Sequence, residues 1–184
     1  MTAPGASARP PLAFRSAQTG DVAALVGLVE SAYRGEASRA GWTTEADLLD
    51  GQRIDAAGIG ALLAAHDSQI VLALAEGAIL ACAHLQRQPD GAGAYFGMFA
   101  VRPQLQGGGI GDALLAECER RAREDWHCRQ VRMTVISLRD ELIAWYERRG
   151  YRRSGQYQPF PYGDARFGLP RRDDLRFEWL EKPL

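Results

Sequence analysis

The chain has 184 residues, with 22 lysines and arginines against 23 aspartates and glutamates and a formal net charge of −1 at pH 7. Because folded domains usually contain roughly 100 to 200 residues, this length predicts one globular domain. The near-neutral charge argues against a nucleic-acid partner and against a membrane surface, since both are usually contacted through an excess of basic residues.

Lysine is almost missing from the sequence. Of the 22 cationic residues 21 are arginines, and Lys182, close to the end of the chain, is the remaining one. This composition excludes a mechanism that needs a lysine inside the fold.

The cysteines and histidines indicate neither a disulfide framework nor a metal site. Cys82, Cys118 and Cys128 are an odd number and form no Cys-x-x-Cys pair. His127 and Cys128 are adjacent, but no second pair of ligand residues accompanies them. We therefore expect reduced thiols, no bound metal and a cytoplasmic protein.

Residues 1–11 are mostly alanine, proline, glycine and serine with one arginine, and they predict a flexible tail that precedes a single domain over residues 12–184. The tail lacks the apolar segment of a secretory signal. No apolar run approaches the roughly 20 residues that span a bilayer, so we expect neither export by a cleavable signal nor a membrane anchor.

The first part of the domain predicts one strand followed by three helices. Residues 12–16 alternate between apolar and polar, as a short strand does, and a helix starting at residues 19–21 continues at helical spacing to Tyr33. A second helix is predicted over residues 42–49, with Thr44 and Asp47 in a capping box, and a third over residues 55–66.

The middle of the domain predicts an antiparallel meander, because its apolar runs are short and separated by turn residues. The three strands are predicted at residues 70–75, 79–85 and 94–101. The remaining elements are a helix from residue 110, a strand at 130–136, a helix at 139–149 that stops at Gly150, and strands at 151–158 and 175–180. Seven strands with helices between them indicate an α/β protein.

The segment Gln106-Gly-Gly-Gly-Ile-Gly111 joins the third meander strand to a helix and is typical of an anion site. Glycines allow successive backbone N–H groups to point into one concavity, and the helix N-terminus adds partial positive charge, so phosphate is bound without a lysine. A P-loop is excluded because no lysine follows, and a dinucleotide fingerprint fits poorly because its third glycine is missing.

These residues resemble motif A of the GNAT superfamily of acyl-CoA-dependent N-acyltransferases, in which Gln106, Gly109 and Gly111 occupy the signature positions. Residues 142–151, ending in Trp145-Tyr146-Glu-Arg-Arg-Gly150-Tyr151, resemble the second conserved segment of that family. The resemblance implies the GNAT fold: a mixed, mostly antiparallel seven-stranded sheet, splayed at its centre and flanked by four or five helices.

The resemblance also implies acetyl-CoA as the acyl donor, with its pantetheine arm along residues 99–101 and its pyrophosphate on residues 106–111. The implied cofactor-binding residues are Phe99, Ala100, Val101, Gln106, Gly107, Gly108, Gly109, Ile110 and Gly111. One position departs from the family pattern, since Arg139 stands where many members carry an asparagine that contacts the cofactor. Arg139 therefore either reaches the cofactor phosphates or is solvated at the start of its helix.

Acyl transfer to an amine requires the departing thiolate to be protonated, and Tyr146 is the candidate general acid. A phenol with a pKa near 10 is protonated at neutral pH. The alternative is that Tyr146 is a packed tyrosine whose hydroxyl caps a neighbouring group. His84 is the candidate base, although a lone histidine in an apolar strand is often only a hydrogen-bonded core residue.

Two segments are candidates for the acceptor site. Glu36 and Asp47 flank the loop where the family usually places the acceptor, and Trp42 lies in the same region. Tyr162 lies in the Pro- and aromatic-rich loop over residues 159–170, which forms either a substrate wall or a cover for the last strands.

The sequence thus predicts a cytoplasmic N-acetyltransferase, monomeric or homodimeric, that transfers an acetyl group from acetyl-CoA to an amine of a small molecule or peptide. Transfer is direct and occurs in a ternary complex, with no nucleic-acid or membrane partner. The alternative is a domain that binds acyl-CoA without turnover and serves as a sensor or scaffold.

Overall fold

The structure, a computed structural model, describes residues 11–184. The predicted flexible tail, residues 1–11, lies outside the described residues except for Pro11. This part of the chain forms nine strands: β1 Ala13–Ser16, β2 Leu49–Asp50, β3 Ser68–Ala75, β4 Ala78–Arg87, β5 Gly93–Val101, β6 Gln130–Ile136, β7 Arg152–Pro159, β8 Leu169–Pro170 and β9 Arg176–Pro183. The same described residues form five α-helices: α1 Val22–Tyr33, α2 Gly35–Ser38, α3 Ala56–Ala64, α4 Ile110–Arg120 and α5 Asp140–Glu147. Within residues 11–184 the helices are all too short or too polar to cross a membrane.

Seven of the strands form one sheet in the order β1-β3-β4-β5-β6-β9-β7, and every neighbouring pair is antiparallel except β5 and β6. This arrangement confirms the predicted mixed, mostly antiparallel seven-stranded sheet with about five helices. The central strands are apolar on both faces because helices cover both sides of the sheet. One core packs Val71 and Leu85 against Leu114 of α4, and the other packs Leu72 against Leu25 of α1.

The sheet opens between β5 and β6. These parallel strands are paired only where Gly93, Ala94 and Tyr95 face residues 130–132, so the second half of β5 and the second half of β6 are no longer hydrogen-bonded to each other. The predicted splay at the centre of the sheet is therefore present. On its other side β5 carries a bulge opposite residues 82–84 of β4, and Met98 within the bulge has a φ of 45°.

The predicted second helix, residues 42–49, was wrong. A four-residue helix, α2, comes earlier, and the chain then turns and enters β2, which pairs with β8 of the long loop. Thr44 accepts a hydrogen bond from Ala46 N over 3.0 Å, so its side chain closes a local turn rather than capping a helix. Glu45 is buried at 7% exposure between two arginines, and these tertiary contacts decide the path of the segment.

Candidate active site

Two cavities lie at the opening between β5 and β6. The smaller one, of about 170 Å³, is lined by the glycine segment at the start of α4, and the larger one, of about 310 Å³, is lined by the diverging strands and by the long loop after β7. Five residues line both cavities and form the boundary between them: Tyr33, Phe99, Arg139, Leu142 and Tyr146. We call the smaller cavity, beside the glycine segment, the donor cavity and the larger one the acceptor cavity. The five shared residues are called the boundary.

The glycine segment of the donor cavity has the geometry of an anion site. Gly107 and Gly109 have φ angles of 75° and 86°, a region that favours glycine, and a Cβ at either would meet no atom within 4 Å. The N–H of Ala113 donates to Gly109 O, so the amides that precede it at the start of α4 carry no intrahelical bond. Open space beside free amides and a helix N-terminus fits a phosphate group.

Gly111 has a different reason to be glycine. A Cβ at this position would lie 3.2 Å from Cζ of Phe99 and 3.7 Å from Cζ2 of Trp145. The first turn of α4 therefore packs closely against β5 and α5, and this contact fixes the helix N-terminus at the cavity.

A cation missed by the sequence analysis lines the donor cavity. Arg149 forms an ion pair with Asp112, donates to Trp145 O over 2.7 Å and stacks 3.5 Å from the centroid of the Trp145 ring. Its position four residues after Trp145, at the end of the helix predicted over residues 139–149, was the available signal. The donor cavity therefore offers a phosphate group an arginine side chain as well as backbone amides, although the chain is nearly free of lysine.

Trp42, predicted to bind the acceptor, lies instead in the donor cavity. Its ring centroid is 6.4 Å from that of Trp145. Its backbone N–H donates to Oε1 of Gln106 over 3.0 Å, and Nε2 of Gln106 donates to Val101 O over 3.3 Å. Gln106 therefore ties the loop before β2 to the end of β5, with its side chain placed at the cavity wall.

The bulge of β5 is held by Tyr33, a residue the sequence analysis did not select. The Tyr33 hydroxyl donates to Phe99 O over 2.8 Å. Burial raises the pKa of Tyr33 to about 12, against the opposing charges of Arg53 and Arg139, so the hydroxyl keeps its proton at neutral pH. Helical spacing alone marks Tyr33 as a core residue, and only the fold brings it to the bulge.

A buried ion-pair triad lies at the junction of the cavities. Arg34 donates to Oε2 of Glu45 over 2.6 Å, and Arg139 donates to Oε1 of Glu45 over 2.9 Å and to Oγ1 of Thr43 over 2.7 Å. Burial by itself raises the pKa of Glu45, but the charges of Arg139, Arg53 and Arg34 outweigh it, so the pKa lies below its ordinary value. Arg139 is thus buried in an ion pair rather than solvated, and it lines both cavities, so its contact with the cofactor stays a prediction.

Tyr146 lies on the boundary with 4% of its surface exposed. Its ring packs against those of Phe99, Trp145 and Tyr151, with centroids 6.5, 5.1 and 5.6 Å away. Burial raises its pKa well above the ordinary value, so the phenol stays protonated. Among residues 11–184 the Oη of Tyr146 has no hydrogen-bond partner, unlike the Oη of Tyr151, which donates to Glu119 over 3.0 Å.

His84, the predicted base, lines neither cavity. Its Nε2 lies 2.9 Å from Oγ of Ser68, and that hydroxyl donates its own proton to Leu62 O over 2.7 Å. The hydroxyl must therefore accept from His84, which places the ring proton on Nε2. Burial lowers the pKa of His84 to about 4, so the imidazole is neutral and serves as a core hydrogen-bond donor.

The other predicted acceptor residues also lie outside the acceptor cavity. The Glu36 side chain is 91% exposed and pairs with Arg39, and Asp47 pairs with the same arginine. The Tyr162 hydroxyl accepts from Leu175 N over 2.7 Å, which braces the long loop. That loop nevertheless supplies Phe160 and Phe167 to the acceptor cavity, while β8 within it pairs with β2. In the part of the chain that the structure describes, no group of three or more His, Cys, Asp or Glu side chains is placed to hold a metal ion.

Comparison with solved structures places this fold among N-acetyltransferases. The Escherichia coli ribosomal-protein-S18-alanine N-acetyltransferase matches with a TM-score of 0.69 and 16% identity, covering 94% of each chain. A mutant of the Vibrio cholerae spermidine N-acetyltransferase matches with a TM-score of 0.67 and 12% identity, covering 94% of this chain and 93% of that one. At these identities the likeness concerns the fold alone.

The chain belongs to the acetyltransferase (GNAT) family, whose profile matches residues 24–151. This finding confirms the resemblance stated from the two sequence motifs. An amino-acid acetyltransferase from Pseudomonas putida is 35% identical over 80 residues, which are 44% of this chain and 17% of that protein. The match thus covers less than a fifth of the length of that relative.

Proposed function

We propose that the protein is an acetyl-CoA-dependent N-acetyltransferase that transfers the acetyl group directly to an amine in a ternary complex. The observation that carries this proposal is the boundary, where a cavity with an anion site and a separate aromatic cavity meet at Tyr146. Direct transfer needs donor and acceptor to approach from two sides of one point.

The donor cavity supports acetyl-CoA as the donor, which the GNAT family generally uses. The glycine segment offers amides to the pyrophosphate, Arg149 adds a positive charge, and Trp42 and Trp145 provide flat apolar surface. We propose that the thioester reaches the boundary along residues 99–101, where the bulge interrupts the pairing with β4.

In the proposed reaction the lone pair of the neutral amine attacks the thioester carbonyl carbon, a C–N bond forms and the C–S bond breaks. Tyr146 donates its phenolic proton to the departing sulfur, so coenzyme A leaves as the thiol. The amine releases one proton to solvent and Tyr146 regains one, which balances the protons. A phenol with a raised pKa is fully protonated at neutral pH and is available for this step.

The acceptor cavity offers no strong side-chain base. Glu45 is the only carboxylate among the residues lining it, and both Glu45 oxygens accept hydrogen bonds from arginines. We propose that the amine binds in its neutral form instead. The positive charges of Arg53 and Arg139 disfavour an ammonium group beside them, which lowers the pKa of a bound amine.

Thiol release from acetyl-CoA, followed over a panel of amines, tests this function. We expect release that depends on both protein and acceptor, with an acetylated product of the corresponding mass. Tight binding of coenzyme A without acceptor-dependent release across the panel would contradict the proposal and favour the sensor or scaffold.

We also propose a cytoplasmic location, which is supported by the three cysteines, all buried as free thiols. The remaining expectations, a monomer or homodimer without nucleic-acid or membrane partners, stay predictions. Light scattering of the purified protein, with and without DNA, RNA or lipid vesicles, checks them.

A further inference from the structure

The acceptor cavity carries an excess of positive charge. Arg34, Arg53 and Arg139 line it, and Glu45 is the only acidic residue among its lining residues. One carboxylate neutralises one of the three cations. Unbalanced charge is costly in a site walled by apolar side chains, and a bound anion would remove that cost.

Two of the arginines that line this cavity have guanidinium donors without a partner among residues 11–184. Nε and Nη2 of Arg34 and Nε of Arg139 are buried without a hydrogen-bond partner among residues 11–184. The side chains of Arg34 and Arg139 are 6% and 10% exposed, so neither is satisfied by bulk water. Within the same described range Arg53 has no carboxylate within 4.0 Å, and its guanidinium lies 5.3 Å from the centroid of the Tyr33 ring.

Two of the three arginines lie beside the boundary. Arg53 and Arg139 both face the ring of Tyr33, at 5.3 and 6.0 Å from its centroid, and Tyr33 and Arg139 are themselves boundary residues. An anionic group held there is next to the position where the amine must meet the thioester. An α-amino acid has this spacing, because its amine and its carboxylate are attached to one carbon.

Most of the other side chains that line the acceptor cavity are apolar or aromatic, with Thr134 and Gln158 as polar exceptions. Its walls include five aromatic side chains from β5, β9 and the long loop: Phe96, Phe160, Phe167, Phe177 and Trp179. Such walls favour an acceptor with an apolar or aromatic side chain. Glu45, the carboxylate among the described lining residues, already bonds to two arginines, so the second ammonium group of a polyamine would meet a net positive charge.

The following inference rests on the proposed function. We propose that the acceptor is a free α-amino acid with an apolar side chain. Arg53 holds its carboxylate, Arg34 and Arg139 add positive charge beside it, and its amine lies at the boundary beside Tyr146. Charge-assisted hydrogen bonds from arginine are the stronger class of hydrogen bond, so the carboxylate dominates recognition.

Matched acceptors test this assignment, because L-phenylalaninamide and L-leucinamide carry a neutral carboxamide where L-phenylalanine and L-leucine carry a carboxylate. We expect kcat/KM for the acids to exceed that for the amides by roughly ten- to a hundredfold. We also expect 2-phenylethylamine and spermidine to be poor acceptors. Equal or better use of the amides, of spermidine or of a peptide N-terminus would overturn the proposal.

The arginine assignment is tested with Arg53→Gln, because Arg53 lines the acceptor cavity but not the donor cavity. We expect the acid-to-amide ratio of kcat/KM to fall by roughly tenfold or more, mainly through KM for the acid. Arg123→Gln is the matched control, since the Arg123 side chain is 54% exposed, pairs with Glu124 and lines neither cavity. An unchanged ratio in Arg53→Gln, with coenzyme A binding intact, would contradict the role of Arg53.

A binding measurement separates this inference from the proposed function. Calorimetric titration of the coenzyme A complex with N-acetyl-L-phenylalanine and with its amide requires no turnover. Preference for the acid, without thiol release from any amine, would support the anion site while the proposed function fails. Equal affinity for acid and amide, together with turnover of neutral amines, would overturn the anion site and leave the transferase standing.

Discussion

The hydroxyl of Tyr33 donates to the backbone carbonyl of Phe99 across 2.8 Å, and this bond joins α1 to the bulge of β5. Both residues belong to the boundary between the two cavities. The bond holds the bulge from the side of α1. From the side of α4, the Phe99 ring packs against Gly111 in the glycine segment. The position of the bulge therefore depends on contacts from two helices that are far apart in the sequence.

Tyr33→Phe removes this bond without removing the ring. We expect the free energy of unfolding to fall by about 1 to 2 kcal/mol, because Phe99 O loses its partner in a buried place. We also expect weaker acetyl-CoA binding, since the bulge lies in the proposed donor path. Chemical denaturation and calorimetry measure the two effects. Tyr157→Phe is the control, since Tyr157 is 46% exposed on β7 and lines neither cavity. Equal stability of the two variants would show that the bond contributes little.

Tyr146→Phe tests the proposed acid. We expect kcat to fall by roughly 100-fold or more, as for the loss of a general acid, with the dissociation constant of coenzyme A nearly unchanged. Steady-state thiol release and calorimetry provide the two readouts. Tyr151→Phe is a matched control because Tyr151 is a buried neighbour that lines neither cavity. If kcat in Tyr146→Phe stays at the wild-type level, Tyr146 is a packing residue and not the acid.

Two glycine substitutions isolate the effect of backbone strain, because neither position is crowded. An alanine Cβ at Gly109 or at Gly60 would meet no atom within 4 Å, but only Gly109 has a positive φ, of 86°. Gly109→Ala should cost about 1 to 2 kcal/mol of stability and weaken coenzyme A binding, because the start of α4 must shift. Gly60→Ala, inside α3, should instead stabilise the protein by about 0.5 to 1 kcal/mol. Thermal denaturation distinguishes the two, and stabilisation by both substitutions would rule out strain at Gly109.

The stability of the protein should depend on pH through His84. Its pKa in the folded state is about 4, below the ordinary value of 6.5, so the unfolded chain binds a proton that the folded protein does not. Stability is therefore complete above pH 6.5 and declines as the pH falls toward 4, by at most about 3 kcal/mol. Denaturation midpoints measured between pH 7 and 4.5 stay largely clear of Asp21 and Glu117, whose contributions are lost as the pH falls from their ordinary pKa values of 3.8 and 4.5 toward their folded-state values of about 2.

His84→Gln provides the comparison for this decline. Glutamine keeps a donor toward Ser68 but does not titrate, so we expect the decline between pH 6.5 and 4.5 to become shallower. We also expect turnover to be retained, since His84 lines neither cavity. Loss of turnover with unchanged stability would restore His84 as the base.

Most of the sheet was predictable because its strands are apolar runs bounded by turn residues. The strand over residues 130–136 was predicted with its observed bounds, and β3, β4 and β5 within two residues of theirs. The segment over residues 42–49 was not, because its polar residues satisfy a helix pattern locally while Glu45 bonds to Arg139, 94 residues away in the chain. The spacing of residues within a short segment gives no information about a partner that far away in the chain.

The candidate active site likewise has features that the local sequence predicts and features that depend on the tertiary structure. By itself the sequence determined the order of the seven strands of the main sheet along the chain, the glycine segment at a helix start and the place of Tyr146 on the inner face of its helix, because periodicity and glycine conformation are local properties. Only the tertiary structure decided that Arg34, Glu45, Arg53 and Arg139 share one cavity, that Tyr33 holds the bulge and that His84 does not reach the site. These outcomes depend on burial and on distances between charges from separate segments, which arise only when the chain is packed.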